Sequence, residues 1–289
     1  MKTFHTIQEL RAALKIERLQ DKSIVFVPTM GNLHDGHMSL IRQATTEGDV
    51  VVSSIFVNPM QFSANEDLER YPKTLTEDQR LLEENGCHYL FAPDALEMYP
   101  DGKRSQTQIE VMGISDILCG ASRPGHFVGV ATVVTKLFNI VQPDSAIFGN
   151  KDYQQLKVIE DMVRDLSSSI KIIGIDTARN DDGLAMSSRN GYLTKEERGI
   201  APAMYQTLLW AKDMLTANRA SHEDIREQAQ QKLEAAGFRR DYFEIRAQDS
   251  LQIPSEEEKR LVILAAAHLG NARLIDNLRI ELPDSLSTN

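Results

Sequence analysis

The sequence predicts an α/β protein: a parallel sheet with helices on both faces, followed by a smaller α+β region. Short apolar runs alternate with helical patterns over the first 175 residues. Several of these runs stop at a turn signal, as at Pro28, Asn58-Pro59 and Pro93. After about Asp176 the alternation gives way to two helical stretches and then three consecutive strand-like segments. The chain has 289 residues, enough for about two domains, expected here as 1–175 and 176–289.

Thr6-x-x-Glu9 opens a helix with Ile7, Leu10 and Leu14 on one side. Ile24–Val27 is a continuous apolar run that Pro28 should end, the pattern of a strand buried on both faces. A Gly-containing loop follows, then a helix through Leu40, Ile41 and Ala44. Val50–Val57 is a second such strand, Leu75–Glu84 a polar helix, and Tyr89–Ala92 a third strand. Beyond a turn at Pro100-Asp101-Gly102, alternation over Gln106–Val111 predicts a further strand. A long helix is expected over Val128–Val141, then a strand at Ser145–Phe148, a helix from Asp152 to Leu166 and a strand at Ile170–Ile175. Right-handed crossovers would join them into a parallel sheet. In the second region Thr194-x-x-Glu197 caps a long helix and Ser221–Ala236 forms another. Strands follow at Tyr242–Arg246, Leu261–Ala267 and Arg273–Ile280.

The composition is 42% hydrophobic and 26% charged, with 16 Gly and 10 Pro, which excludes wholesale disorder and collagen-like sequence. A net charge of −10 supplies no field to draw the chain onto nucleic acid or an anionic membrane, so neither is expected as a partner. Cys87 and Cys119 make neither a disulfide framework nor a zinc site. The first ten residues lack a signal-peptide core, and the apolar runs are strand-sized against the roughly 20 residues a bilayer requires. The expectation is a globular protein of a reducing, cytoplasmic compartment.

Pro28-Thr-Met-Gly-Asn-Leu-His-Asp-Gly-His37 lies between a buried strand and a helix, where α/β sheets bind ligands. A helix N-terminus there offers free N–H groups to an anion. Gly31 and Gly36 let backbone approach a phosphate, and His34 and His37 lie one turn apart on one face. In Asp182-Gly-Leu-Ala-Met-Ser-Ser-Arg-Asn190, the Ser187 and Ser188 hydroxyls and the Arg189 guanidinium suit triphosphate oxygens. As a pair, these two segments resemble those of the HIGH/KMSKS nucleotidyl transferases.

Three further segments stand at strand ends or before helices. In Phe148-Gly-Asn-Lys-Asp-Tyr-Gln-Gln-Leu156, Lys151 can neutralise a phosphate and Gly149 admits backbone approach. Gln155, one turn on, could meet a neutral polar group of a second substrate, whereas Asp152 and Gln154 fit a solvated helix start. In Phe56-Val-Asn-Pro-Met-Gln-Phe62, Gln61 among apolar neighbours suits a small branched hydroxy acid. In Ser122-Arg-Pro-Gly-His-Phe-Val-Gly129, Arg123 and His126 either contact an anion or cap the following helix. The scattered histidines His5, His88, His222 and His268 fit surface or core-edge positions.

Together the five segments resemble the pantothenate synthetase (pantoate–β-alanine ligase) family, and the likeness continues through Leu269–Asn277. The resemblance implies a Rossmann-like domain binding ATP and pantoate, with a smaller C-terminal lid. Met30, Gly31, Asn32, Leu33, His34, Asp35, Gly36 and His37 would contact ATP. So would Gly149, Asn150, Lys151, Asp152, Ala178, Met186, Ser187, Ser188 and Arg189. His37 would carry the catalytic role, assisted by His34, Lys151, Ser187, Ser188 and Arg189. Gln61 and Gln155 would hold pantoate, with Gln61 also at the β-alanine site. Asn150 departs from the Glu more usual in the family. The implied reaction is adenylation of pantoate by ATP with Mg²⁺, then attack by β-alanine, with release of AMP and pyrophosphate. A homodimer is also implied.

Overall fold

The structure, a computed structural model, describes residues 1–62, 68–102 and 106–283. The chain divides into two compact units: Met1–Asn150 with Gln154–Asp176, and Lys151–Tyr153 with Thr177–Asn289. The first unit runs β1 (Lys2–Phe4), α1 (Ile7–Arg18), β2 (Ile24–Thr29), α2 (Asp35–Glu47), β3 (Val50–Ile55), α3 (Leu75–Glu84) and β4 (Tyr89–Phe91). It continues with the short α4 (Ala95–Met98) and α5 (Cys119–Ser122), then α6 (His126–Val141), β5 (Ser145–Gly149), α7 (Tyr153–Asp165) and β6 (Lys171–Ile175).

The six strands pair in parallel in the order β1-β4-β3-β2-β5-β6. Side chains alternate across the sheet, so its two faces take alternate residues of each strand. Val25 and Val27 of β2 join Met38, Ile41 and Ala44 of α2 and Leu82 of α3 in one core. Phe26 points to the other face, where its ring meets Phe138 of α6 edge-on at 6.4 Å. Burial on both faces is why the strands read as continuous apolar runs.

Four features differ from the sequence expectations. Pro28 does not end β2, which runs to Thr29. Ile24 O accepts from Asp144 N on the β5 side, and Thr29 O accepts from Phe56 N on the β3 side. Pro28 therefore faces β5, where the register ends at Phe26↔Ala146, and its missing N–H breaks no ladder bond. Gln106–Val111 is not a strand. That segment is fastened to α6 instead, with Ile109 N–H donating to Thr132 Oγ1 (3.0 Å) and Lys136 Nζ to Gln106 Oε1 (3.3 Å). Its alternation reflects lying along a helix, with Val111 buried. The third difference is β1, for which no element was expected, a three-residue edge strand on β4 too short to show periodicity.

The fourth lies in the second unit. The expected single helix after Thr194 is two, α8 (Lys195–Ile200) and α9 (Ala203–Thr216). The Thr194–Glu197 capping box starts α8 as expected, with Glu197 N–H donating to Thr194 Oγ1 and Thr194 N–H to Glu197 Oε2. Pro202 has no N–H to continue the ladder, which separates α8 from α9. After α10 (His222–Ala235) come β7 (Arg239–Ala247), β8 (Arg260–Leu269) and β9 (Ala272–Glu281), paired antiparallel in that order. Leu208 and Ala211 of α9 and Ile225 and Ala229 of α10 pack with Phe243, Ile263, Ala265 and Leu274 of the sheet.

Candidate functional site

The chain order places β2 where the sheet reverses direction, with β3 on one side and β5 on the other. Ligand crevices of such sheets open at the carboxyl ends of the strands beside this point. The segments Met30–His37, Asn58–Gln61 and Gly149–Asn150 all leave strands there.

The loop after β2 is held from below. Thr29 Oγ1 donates to Ser54 O (2.7 Å), and Gly31 takes φ +81°, with an added Cβ only 3.0 Å from Ile55. Asp78 of α3, buried, accepts from Asn32 N (3.0 Å), Leu33 N (2.8 Å) and Thr74 Oγ1 (3.1 Å). His34 caps α2 in extended conformation. Its Nδ1 accepts from Gly36 N (3.2 Å), and His37 Nδ1 accepts from His34 N (3.3 Å). In a neutral imidazole an accepting Nδ1 leaves the proton on Nε2. The rings lie 4.1 Å apart between centroids. The two histidines thus come together as Nε2–H donors at a helix N-terminus, as their spacing suggested.

After β3, Gln61 is buried with its amide braced at both ends. Asn58 Nδ2 donates to Gln61 Oε1 (3.1 Å) and to Gly129 O (3.1 Å), and Gln61 Nε2 points at Met30 Sδ (3.1 Å). Tyr99 OH donates to Asn58 Oδ1 (2.8 Å), and burial pushes its phenol up, so the donor stays protonated. Gly129 is required because an added Cβ would stand 2.5 Å from Met60 O. Arg123 and His126 do not simply cap α6. The Arg123 guanidinium donates to His126 Nε2 (3.0 Å), which leaves His126 Nδ1–H to donate to Gln61 O (2.8 Å). They brace the backbone of Gln61.

On α7, Gln155 is half-buried. Its neighbour Gln154 is buried and structural: Oε1 accepts from Cys119 N (3.0 Å), and Nε2 donates to Ile114 O and Ile117 O, both at 2.8 Å. Asn150 is buried and donates through Nδ2 to Asp176 Oδ1 (2.9 Å). That side chain is committed to the end of β6, so position 150 offers a ligand chiefly its backbone.

In the second unit, Lys151 Nζ lies 3.8 Å from Asp152 Oδ2. Residues 178–186 form a tight hairpin: Met186 N donates to Ala178 O (2.9 Å), and Gly183 turns the chain at φ +89°. Ala178 and Met186–Arg189 are therefore neighbours despite their separation in sequence. Ser187 Oγ accepts from Arg189 N (3.2 Å), and Asn190 Nδ2 donates to Ala185 O (3.0 Å). Arg198 donates to Asp182 Oδ2 (2.6 Å) and holds that carboxyl below the usual range.

An open cavity of about 340 Å³ lies at the amino ends of β1, β3 and β4, lined among others by Lys2, Glu17, Lys22, Asp49 and His88. Lys22 is paired with Glu17 at 2.7 Å and Asp49 accepts from Ser23, so it offers no concentrated charge. Among the described residues no group of three or more His, Cys, Asp or Glu could hold a metal ion, and no helix is long and apolar enough to cross a membrane.

Fold and loop placement together define an α/β protein whose candidate ligand crevice lies at the carboxyl ends of β2, β3 and β5. Comparison with known proteins narrows this. The pantoate-beta-alanine ligase family model matches residues 2–279. A pantothenate synthetase of Marinomonas sp. (strain MWYL1) is 84% identical over 282 residues, covering 98% of this chain and 100% of that one. The pantothenate synthetase structure from Thermus thermophilus superposes with a TM-score of 0.90 at 44% identity, covering 98% and 100% of the two chains. The pantoate-beta-alanine ligase of Francisella tularensis, solved with beta-gamma ATP and beta-alanine, gives 0.80 at 36% identity, covering 96% and 97%. The chain belongs to the pantoate-beta-alanine ligase family, and ATP-dependent joining of pantoate to β-alanine is its activity.

Proposed function

We propose that the joining runs through a pantoyl adenylate. A pantoate carboxylate oxygen attacks the α-phosphorus of ATP, the bond to the bridging oxygen breaks, and pyrophosphate leaves with the electron pair. The β-alanine nitrogen then attacks the acyl carbon, the acyl–oxygen bond breaks, AMP departs and the amine loses a proton. The observation that carries this reading is the pair of Nε2–H donors that His34 and His37 present at the N-terminus of α2. Preorganised donors of this kind stabilise charge that develops on phosphate oxygens in the transition state.

His37 is the principal catalytic donor in this reading, with His34 beside it. The backbone of Met30–His37 and Gly149–Asp152 contacts ATP. Lys151, the Ser187 and Ser188 hydroxyls and Arg189 neutralise the phosphates, and the backbone at Ala178 meets adenine. Gln61 and Gln155 hold pantoate, and Gln61 also meets β-alanine. The beta-gamma ATP and beta-alanine bound by the Francisella relative support the same ligand classes here.

Mg²⁺ would be held chiefly by phosphate oxygens and water. When bound it spreads the charge of the leaving pyrophosphate. Family membership supports a homodimeric, cytoplasmic enzyme. The test is product analysis of the purified chain with ATP, Mg²⁺, pantoate and β-alanine. AMP and pyrophosphate in equal amounts are expected, whereas ADP and phosphate would overturn the adenylate.

A further inference from the structure

None of the residues assigned to ATP lies on β9, yet two adjacent residues of that strand hold the ATP segments of the second unit. Asn277, buried, donates through Nδ2 to the backbone carbonyl of Lys151 (2.8 Å). Asp276, 4% exposed, accepts both guanidinium branches of Arg179, at 2.6 and 2.9 Å. Arg179 follows Ala178 directly and reaches across its own hairpin to Gly183 O (3.1 Å), with its guanidinium 3.7 Å from the centre of the Tyr205 ring. The hairpin is closed by the Met186 N to Ala178 O bond. Asp276 also takes the Asn277 N–H at 2.7 Å, which joins the two clamps.

A buried ion pair contributes little net stability, because desolvation offsets much of its attraction. Burying a carboxylate and a guanidinium in a small sheet domain is thus a poor way to stabilise it. It is an effective way to fix geometry, since a bidentate pair sets both distance and plane.

We propose that Asp276 and Asn277 are positioning residues for ATP: Asn277 sets the backbone at Lys151, and Asp276, through Arg179, sets the hairpin bearing Ala178 and Met186–Arg189. This rests on the reading that those segments contact ATP. The pair touches no reacting atom. Removing it displaces ligand-contacting groups, so the loss falls on ATP and not on pantoate or β-alanine.

The test compares purified full-length Asn277→Leu, Asp276→Asn and Lys151→Ala by steady-state kinetics in each substrate, with thermal midpoints. Asn277→Leu is expected to lower kcat/KM for ATP by about 10- to 100-fold, the range for misplaced binding groups, with KM for pantoate and β-alanine unchanged. Asp276→Asn should show the same selectivity. A lowered thermal midpoint with wild-type ATP kinetics would mark a merely structural role and overturn the proposal. Impaired Lys151→Ala beside a wild-type-like Asn277→Leu overturns it while sparing the ATP-site reading. Normal ATP kinetics in Lys151→Ala removes the reading itself, and the proposal with it. Should Asn277→Leu fail to fold, Asn277→Ser, whose hydroxyl is too short to reach Lys151 O, gives the same readout with the same outcomes.

Discussion

His34 and His37 hold each other in a single protonation pattern: the ring of His37 accepts the backbone N–H of His34 at 3.3 Å, with the two imidazoles 4.1 Å apart. Both Nδ1 atoms accept backbone N–H groups, so in the neutral rings both Nε2 atoms carry the proton. The capping arrangement that starts α2 is also what aims the donors.

His37→Ala should leave the fold intact and lower turnover of adenylate formation by about 10²–10³, or roughly 2.7–4 kcal/mol of transition-state stabilisation. Single-turnover kinetics on the folded variant checks this. A wild-type rate would remove His37 from the mechanism.

Asp78 supports the same loop without facing the ligand. Asp78→Asn replaces one acceptor with an NH₂ group facing a backbone N–H, and a buried donor left unpaired costs about 1–3 kcal/mol. Urea unfolding should show that loss, with a higher KM for ATP. Unchanged stability would mean that the loop holds itself.

In the proposed reading the Gln155 amide serves the second substrate, so Gln155→Ala should weaken pantoate and leave ATP binding nearly unaffected. A ligand group left unpaired costs about 1–3 kcal/mol. Calorimetric titration of each substrate separates the two, and a loss confined to ATP would reverse the assignment.

Through Asn58, Tyr99 links the bracing of Gln61 to pH. Burial raises its phenol above the ordinary value near 10, so the folded chain keeps a proton that the unfolded chain releases. Its contribution is fully present below about pH 10 and is lost as pH rises through that value toward the folded one. Tyr99→Phe should be less stable at pH 8 by about 1 kcal/mol, the worth of its bond to Asn58. The gap should close with rising pH. Parallel stability curves from pH 8 to 11 would contradict this.

The sheet was legible because burial on both faces writes itself as continuous apolar runs such as Ile24–Val27 and Val50–Val52. Helix caps were legible where chemistry is local, as at Thr6 and Thr194. Gln106–Val111 misled because alternation records a buried side, whether sheet or helix supplies it. The pairing of His34 with His37 could be read from their one-turn spacing at a helix start, and the burial of Gln61 from its apolar neighbours. Asp78, Tyr99, Asp276 and Asn277 could not, since their roles arise from partners 41 to 126 residues away. The local signal for Asp276-Asn277 is weak, because Arg273, Arg279 and Glu281 make polar residues ordinary in β9.

In the proposed reaction, α-phosphate chemistry precedes any part played by the amine. Labelled pyrophosphate incubated with the enzyme, ATP, Mg²⁺ and pantoate, without β-alanine, measures it directly. The account predicts that label enters ATP, and that AMP accumulates rapidly only once β-alanine is added. Exchange strictly dependent on β-alanine, or stoichiometric ADP, would contradict it even if pantothenate were formed.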